Sequence, residues 1–364
     1  MGCEACQRRP NEQEAKFDED KFLATFESNL PSFGQYYPSE IGTLIPKKIQ
    51  EYNSENPLQI GEEYYKNLKG HDMKNVEFKN GNIYQGGWND GLKMEGQGKY
   101  YIKGGIIYVE GIWKNGDLIY ARIFSNCSED SFDVYEGEIK NSNYNGKGKL
   151  IESNGKIYEG EFIDGAKKGK GIITFNDGTI YEGQVENDEL KGEGKMIWTN
   201  GYEYEGGFDG NKLEGKGKLK GPNNEIYEGD FSNNLFSGKG IYTFQNSNIY
   251  DGQFVYGVKK GKGIFKCLNN FEYEGDWDND LPCGIGKLSS WNKNGVIKSS
   301  WRYGKIMEEP VYEKGTIDDF IDIDFNINID KMMMNIKDLT NIENTETQST
   351  QYKLGTTPSF LDDY

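Results

Sequence analysis

From residue 84 onward the chain repeats one arrangement of aromatic, glycine and charged positions. The triplet Tyr-x-Gly recurs at Tyr135, Tyr158, Tyr181, Tyr204, Tyr227, Tyr250 and Tyr273, in steps of 23 residues. An earlier copy starts at Tyr84, and another at Tyr108, where one inserted residue moves the glycine to Gly111. The step from Tyr108 to Tyr135 is 27 residues, so that unit carries a four-residue insertion around Phe124–Asp130. With Tyr as position 0, glycine stands at +2 (Gly86, Gly160, Gly183, Gly206, Gly229, Gly252, Gly275). An aromatic or β-branched residue stands at +4 (Trp88, Phe162, Val185, Phe208, Phe231, Phe254, Trp277). A Gly-x-Gly follows at +11 and +13, as in Gly169 and Gly171, and an apolar residue at +15, as in Ile173, Met196, Leu219 and Phe265.

Side chains alternate across a strand, so positions 0, +2 and +4 share one face. The missing side chain at +2 gives Tyr and Phe or Trp room and allows close approach of a neighbouring backbone. Positions +1 and +3 are mostly polar and face water. Asn154-Gly155, Asp177-Gly178 and Asn200-Gly201, between the second apolar strand and the next Tyr, are strong hairpin signals. Each unit is therefore one β-hairpin, and the units chain into a single antiparallel all-β meander. One hairpin buries too little to stand alone, so stability is a nearest-neighbour sum along the array.

The string Tyr158-Glu159-Gly160-Glu161-Phe162, closed by Gly169-Lys170-Gly171, resembles a MORN (membrane occupation and recognition nexus) repeat, and its neighbours do too. The resemblance runs from Tyr84 to Lys298, with Tyr108–Val134 departing from the pattern. It implies an elongated β-hairpin array used as a scaffold or membrane-contact element. Such arrays occur in junction proteins, in ciliary and cortical assemblies, and beside lipid kinase domains.

On this basis the array covers residues 74–304, as nine hairpin units plus caps. Lys74–Ile83 reads as a half-unit and Trp301–Tyr312 as a degenerate closing strand, since array ends need atypical caps. Residues 11–73 read as helical and irregular. Glu12–Leu30 has helical spacing with Phe22, Phe26 and Leu30 on one face, whereas Pro31–Pro57 is expected to be irregular. Residues 305–364 carry 5 Lys/Arg against 13 Asp/Glu and read as an acidic, mostly disordered tail. Lys331–Leu339 is a candidate short helix within it.

Net charge is −17 over 364 residues, which argues against nucleic acid as a partner. Five cysteines, an odd number with three isolated in the repeat region, give no disulfide framework and point to a reducing, cytosolic setting. No run of 18 apolar residues predicts a membrane-spanning helix, and no secretory signal pattern opens the chain. The start, Met1-Gly2-Cys3-Glu4-Ala5-Cys6, instead fits myristoylation of Gly2 once Met1 is removed, with palmitate on Cys3 and Cys6. Cys6 stands where the myristoylation pattern prefers Ser or Thr. Two acyl chains make a stable anchor where one is marginal. Residues 1–10 are thus a candidate acylated terminus, and the expected location is the cytosolic face of a membrane, plasma membrane or cortex.

No catalytic group, cofactor or metal site is expected. Zinc would need a second Cys/His cluster beside Cys3 and Cys6. The Gly-x-Gly-Lys strings lack P-loop spacing. Asp276-x-Asp278-x-Asp280 lacks the glycine and the glutamate of a calcium loop. His71 is the only histidine. A repeated Lys column (Lys147, Lys170, Lys216, Lys239, Lys262) reads as a solvated stripe beside the Glu column, or as a ladder touching lipid headgroups or an acidic partner. Expected partners are other proteins, and the membrane through acyl groups. Weak phosphoinositide contact and a homodimer are additional readings. A ciliary or cortical structural component without an anchor, or an accessory subunit for a phosphoinositide kinase, are the alternatives to a membrane-bound scaffold.

Overall fold

The computed structural model describes residues 47–60, 64, 73–77, 82–90, 93–102, 107–125, 131–268, 270–290, 295–308 and 310–315. The chain divides into two compact units, one reaching Ile173 and including Glu186–Asp188, the other comprising Thr174–Val185 and Glu189 onward. The first holds a helix α1 (Lys47–Glu55) and strands β1 (Met73–Glu77), β2 (Ile83–Trp88), β3 (Met94–Tyr101), β4 (Tyr108–Lys114), β5 (Asp117–Ser125), β6 (Asp133–Lys140), β7 (Asn143–Ile151) and β8 (Ile157–Ile163), with the start of β9 (Ala166–Thr174). The second holds β10 (Ile180–Glu186), β11 (Glu189–Ile197), β12 (Glu203–Asp209), β13 (Lys212–Lys220), β14 (Ile226–Ser232), β15 (Leu235–Thr243) and β16 (Ile249–Val255). It continues with β17 (Val258–Cys267), β18 (Phe271–Asp278), β19 (Leu281–Ser290), β20 (Gly295–Arg302), β21 (Lys305–Ile306) and β22 (Val311–Lys314). From β1 to β8, and again from β11 to β20, each strand pairs antiparallel with the next. This is the all-β meander of consecutive hairpins that the repeat predicts.

Two kinds of turn alternate. Inside a unit, positions +6 and +7 form a two-residue turn with both residues at positive φ: Asn233 at 48° and Asn234 at 65°, Asn279 at 46° and Asp280 at 65°. Turns of this kind match the twist of the flanking strands and favour Asn, Asp and Gly. Between units the loop is longer. Gly155 N–H donates to the Glu152 carbonyl, Glu152 N–H to the Lys156 carbonyl, and the Asn154 carboxamide oxygen accepts from Lys156 N–H at 2.8 Å. The Asn-Gly pairs prominent in the sequence occupy these between-unit loops. The two-residue turns are written mostly in Asn and Asp and stand out less.

The glycines of the Gly-x-Gly motif do different work. The first takes a left-handed backbone, as at Gly215 (φ 76°), where the hairpin bulges between the Gly206–Gly217 and Phe208–Leu213 pairs. The second makes room for a ring. A Cβ on Gly217 would lie 2.5 Å from Cε2 of Tyr204, and one on Gly206 would lie 2.6 Å from its hydroxyl. Each repeat tyrosine except Tyr108 folds back over the two paired glycines of its own hairpin and donates its hydroxyl to the carbonyl at +3. Tyr158 reaches Glu161 O at 2.8 Å, Tyr181 reaches Gln184 O at 2.7 Å and Tyr227 reaches Asp230 O at 2.8 Å. The +4 ring then stands edge-on between successive tyrosines. Phe231 lies 5.0 Å from Tyr204 and 5.1 Å from Tyr227, both near-perpendicular, and Phe208, Phe254 and Trp277 repeat the arrangement. Edge-to-face geometry is the favoured aromatic contact.

Position +9 supplies a buried column that the sequence reading did not single out. It is Tyr144, Leu190, Leu213 or Phe236, but also Lys167 and Lys259, all buried. Where +9 is leucine, the next hairpin carries asparagine at +7, and its side-chain oxygen accepts from the leucine N–H: Asn211 from Leu190 at 2.8 Å, Asn234 from Leu213 at 2.7 Å. Where +9 is lysine, +7 of the next hairpin is aspartate. Lys167 pairs with Asp188 and Lys259 with Asp280, each at 3.7 Å.

One expectation needs correction. Pro31–Pro57 is not irregular throughout, because Lys47–Glu55 is helical and buries Ile49 against Tyr101, Tyr108, Phe124 and Val134. The packing partners lie far away in sequence, so local spacing does not reveal them. Tyr108–Val134, whose hairpin geometry the departing sequence leaves open, does form a hairpin, β4–β5, with Val109 paired to Ile123 and Gly111 to Ala121. In the stretch Trp301–Tyr312, read from the sequence as a degenerate closing strand, β21 and β22 both pair with β20. Glu12–Leu30, Lys331–Leu339 and the tail beyond Gly315 lie outside the described residues.

Candidate binding face

With tyrosine, glycine and phenylalanine packed on one side of the strands, positions +1, +3, +12 and +14 share the other. The strand register lines them into rows running across the strands. In the first unit one row reads Lys99, Glu110, Arg122, Glu136, Lys149, Glu159, each paired with the next across the sheet. Opposite charges therefore meet at every step: Lys99 with Glu110 at 3.1 Å, Arg122 with Glu136 at 2.6 Å, Lys149 with Glu159 at 3.8 Å. In the second unit the matching row begins Lys195, Glu205, Lys218, Glu228 and continues Ile241, Asp251, Ile264, Glu274, ending at Lys287 and Lys298. Directly opposed cross-strand pairs of opposite charge stabilise a sheet modestly, and like charges oppose it.

The Lys column of the sequence falls on this face. Lys147, Lys170 and Lys239 are exposed. Lys216 and Lys262 reach Asp230 and Asp276 at 2.6 and 2.8 Å. The hydrogen bond from Lys216 holds the Asp230 carboxyl below the usual carboxylate range. Paired in this way, Lys216 and Lys262 present little net positive charge to a lipid surface. In the second unit the bare backbone of Gly206, Gly217, Gly229 and Gly240 floors a shallow groove of about 680 Å³ between Lys216, Lys218, Glu205 and Glu228.

In the first unit the same face is occupied. Flanking its charged row runs an apolar one, Tyr101, Tyr108, Phe124, Val134, Ile151, and α1 lies on it. Tyr52 meets Phe124 and Phe132 edge-on, each at 5.8 Å. Arg122, buried beneath the helix, ties it down. Its guanidinium donates to the Asn53 side chain at 3.1 Å, to the Asn56 carbonyl at 2.5 Å, and to Glu136 at 2.6 and 2.9 Å. Such charge-assisted bonds are about twice as strong as neutral ones. Arg122 is a residue of this face that the sequence did not single out, because its contacts depend on a helix some 70 residues away.

The repeat tyrosines, glycines and aromatics from Tyr84 to Trp277 sit on the opposite, packed side; Tyr84, Tyr158, Tyr181, Tyr204, Tyr227, Tyr250 and Tyr273 are all buried. The aromatic rings form core, whereas the backbone of Gly206 and Gly229 is bare towards the groove on the charged side. Gly2, Cys3 and Cys6 lie outside the described residues. Among the described residues no group of three or more His, Cys, Asp or Glu could hold a metal ion, and no helix is long and apolar enough to cross a membrane.

A sequence profile described as MORN repeat matches residues 84–106, 135–156, 158–180, 181–201, 204–226, 227–249, 250–270 and 273–290. The unmatched stretch contains the β4–β5 hairpin. A search of curated proteins finds no match. Among solved structures, the Drosophila melanogaster SAS-4 (dCPAP) TCP domain in complex with a proline-rich motif of Ana2 (dSTIL) is similar at 14% identity. It covers 43% of this chain and 84% of its own, with a TM-score of 0.29. The Danio rerio CPAP TCP10 domain in complex with a STIL peptide shares 11% identity over 64% of this chain and 97% of its own, with a TM-score of 0.31. Neither superposition is close enough to bear on function.

Proposed function

The chain belongs to the MORN-repeat family, and from that premise we propose that it is a non-enzymatic scaffold whose charged face receives polypeptide segments and whose acylated N-terminus holds it on a membrane. The observation that carries the first half is α1 seated on that face in the first unit. The array already uses this side to bind a helix, through an apolar strip and a buried arginine. The glycine-floored groove of the second unit offers the same side to a partner of mixed charge, with Glu228 and Lys218 as opposite-charge contacts. The acyl half rests on the sequence Gly2-Cys3, with Cys6 as a second palmitate position.

The test is fractionation of cells expressing the full chain, followed by intact-mass measurement with and without hydroxylamine. The expected result is membrane retention through a salt wash, a myristoyl mass on Gly2 and a hydroxylamine-labile mass on Cys3 or Cys6. Gly2→Ala should release the protein. Lys216→Glu with Lys218→Glu should leave it on the membrane but without its co-purifying proteins. An unmodified terminus, or Gly2→Ala protein still retained, would overturn the anchor and turn attention to a cytoskeletal role.

A further inference from the structure

The charged row changes composition along the second unit. Over β11–β14 it alternates base with acid, as Lys195, Glu205, Lys218 and Glu228. Beyond β14 isoleucine takes the place of the base. Ile241 faces Glu228 and Asp251, and Ile264 faces Asp251 and Glu274. Ile241 is 45% exposed, and Asp251 and Glu274 are exposed too. Ile249, two residues along β16 from Asp251 and on the same face, is half-buried. Asp251 therefore stands among three isoleucines.

Most cations nearby are turned to other acids. Lys218 reaches Glu228 at 3.2 Å, Lys262 reaches Asp276 at 2.8 Å, and Lys266 reaches Glu272 at 3.5 Å. Lys287 is paired across the sheet with Glu274, yet its ammonium lies 3.9 Å from Glu313. Lys239 faces Gln253. Among the described residues, Asp251 and Glu274 form no ion pair.

An apolar surface that carries two uncompensated carboxylates suits one kind of partner. A wholly apolar cover would bury the carboxylates without a cation, which is costly. A wholly polar cover would gain nothing from the isoleucines. A cationic segment with an apolar ridge meets both demands. The spacing selects its conformation. Asp251, Ile264 and Glu274 lie on successive strands about 4.8 Å apart, so the run spans about 9.6 Å. On a helix, side chains at i, at i+3 or i+4, and at i+7 share one face and rise about 5 and then about 10.5 Å. An extended segment returns to one face only every ~6.7 Å and falls out of step. In the first unit α1 docks on this face with the same helical spacing, through Ile49, Tyr52 and Asn53.

We propose that the face of β15–β18 docks a cationic amphipathic helix of a partner protein, with Lys or Arg at i and i+7 against Asp251 and Glu274 and an apolar residue between them on Ile264. The proposal rests on the reading of the charged face as a docking surface and adds the chemistry of the partner. Ile241 and Ile249 receive the apolar residues that flank the first cation. Ile241 and Asp251 also line the glycine-floored groove, so this site continues it.

The probe is a labelled alanine-based helical peptide with Arg at i and i+7 and Leu at i+3 and i+4, titrated with the full-length protein by fluorescence anisotropy. A control peptide of the same composition carries its second Arg at i+5, off the shared face. Saturable binding of the first peptide, about tenfold tighter than the control, is the expected result. Asp251→Lys with Glu274→Lys should weaken it by about tenfold or more, and a peptide with Glu in place of both Arg should bind that variant and not the wild type. Ile264→Ser should weaken binding as well. Circular dichroism checks that these variants fold. Equal binding of the two Arg peptides, or binding indifferent to the variants, would overturn the proposal in favour of general attraction to a chain of net charge −17. No binding of the first peptide would overturn it too. Loss of co-purifying proteins from Lys216→Glu with Lys218→Glu would still uphold the broader scaffold reading, so the two fail separately.

Discussion

At the scale of single residues, the repeat is a tyrosine ring laid over two glycines. Tyr227→Phe removes the hydroxyl that reaches Asp230 O and is expected to cost about 0.5–1.5 kcal/mol. Gly217→Ala forces a methyl into the Tyr204 ring and is expected to cost about 1–3 kcal/mol by overpacking. Urea denaturation midpoints of the two variants check both. A glycine variant with an unchanged midpoint would mean that the ring can swing away at no cost. The tyrosine–glycine partnership was legible in sequence because both residues lie in one strand, two positions apart. That the second glycine serves the same ring was not legible, since it stands on the paired strand.

At the scale of elements, two devices join neighbouring pieces. The first is the coupling of +9 to +7 of the next hairpin. The protein itself shows that leucine goes with asparagine and lysine with aspartate. Lys259→Leu alone keeps the backbone N–H bond to Asp280 but leaves that carboxylate without its cation, and should destabilise by about 1–3 kcal/mol. Combined with Asp280→Asn it recreates the Leu213–Asn234 arrangement. Replacing a buried ion pair by well-packed residues is often neutral or stabilising, by about 1–4 kcal/mol, so the double variant should match or exceed the wild type. A double-mutant cycle with no coupling would refute the pairing rule. The second device is Arg122. Arg122→Ala should cost about 1.5–3 kcal/mol through its lost charged hydrogen bonds and free α1 for exchange, and Arg122→Lys should not restore it. Equal protection of α1 in all three proteins would show that Ile49 and Tyr52 suffice.

At the scale of the whole molecule, the tyrosine core makes alkaline stability a collective property. Burial pushes the hydroxyls of Tyr181, Tyr204, Tyr227, Tyr250 and Tyr273 well above the ordinary value of 10.0, and that of Tyr158 to about 12. An unfolded chain ionises these groups first, so it binds fewer protons than the folded one above pH 10. Stability is therefore complete below that pH and falls as pH rises through about 12. Circular dichroism between pH 9 and 12 should show a steep loss of structure over that window. Flat stability to pH 12 would mean that the rings are more solvated than their packing indicates.

The sequence by itself determined the hairpin period, the all-β class, and the face carrying Tyr, Gly and Phe. All of these rest on strand alternation and turn chemistry, which act within a few residues. Only tertiary structure decided which residues fill the +9 column, since burial there depends on the strand paired opposite +4. Pairing likewise builds a hairpin at 108–125, where Val109 and Ala121 stand in for tyrosine and glycine. It also turns Lys47–Glu55 into a helix, because Ile49 and Tyr52 find their partners on strands more than 40 residues away. Local patterns cannot carry information that is held in contacts between distant segments.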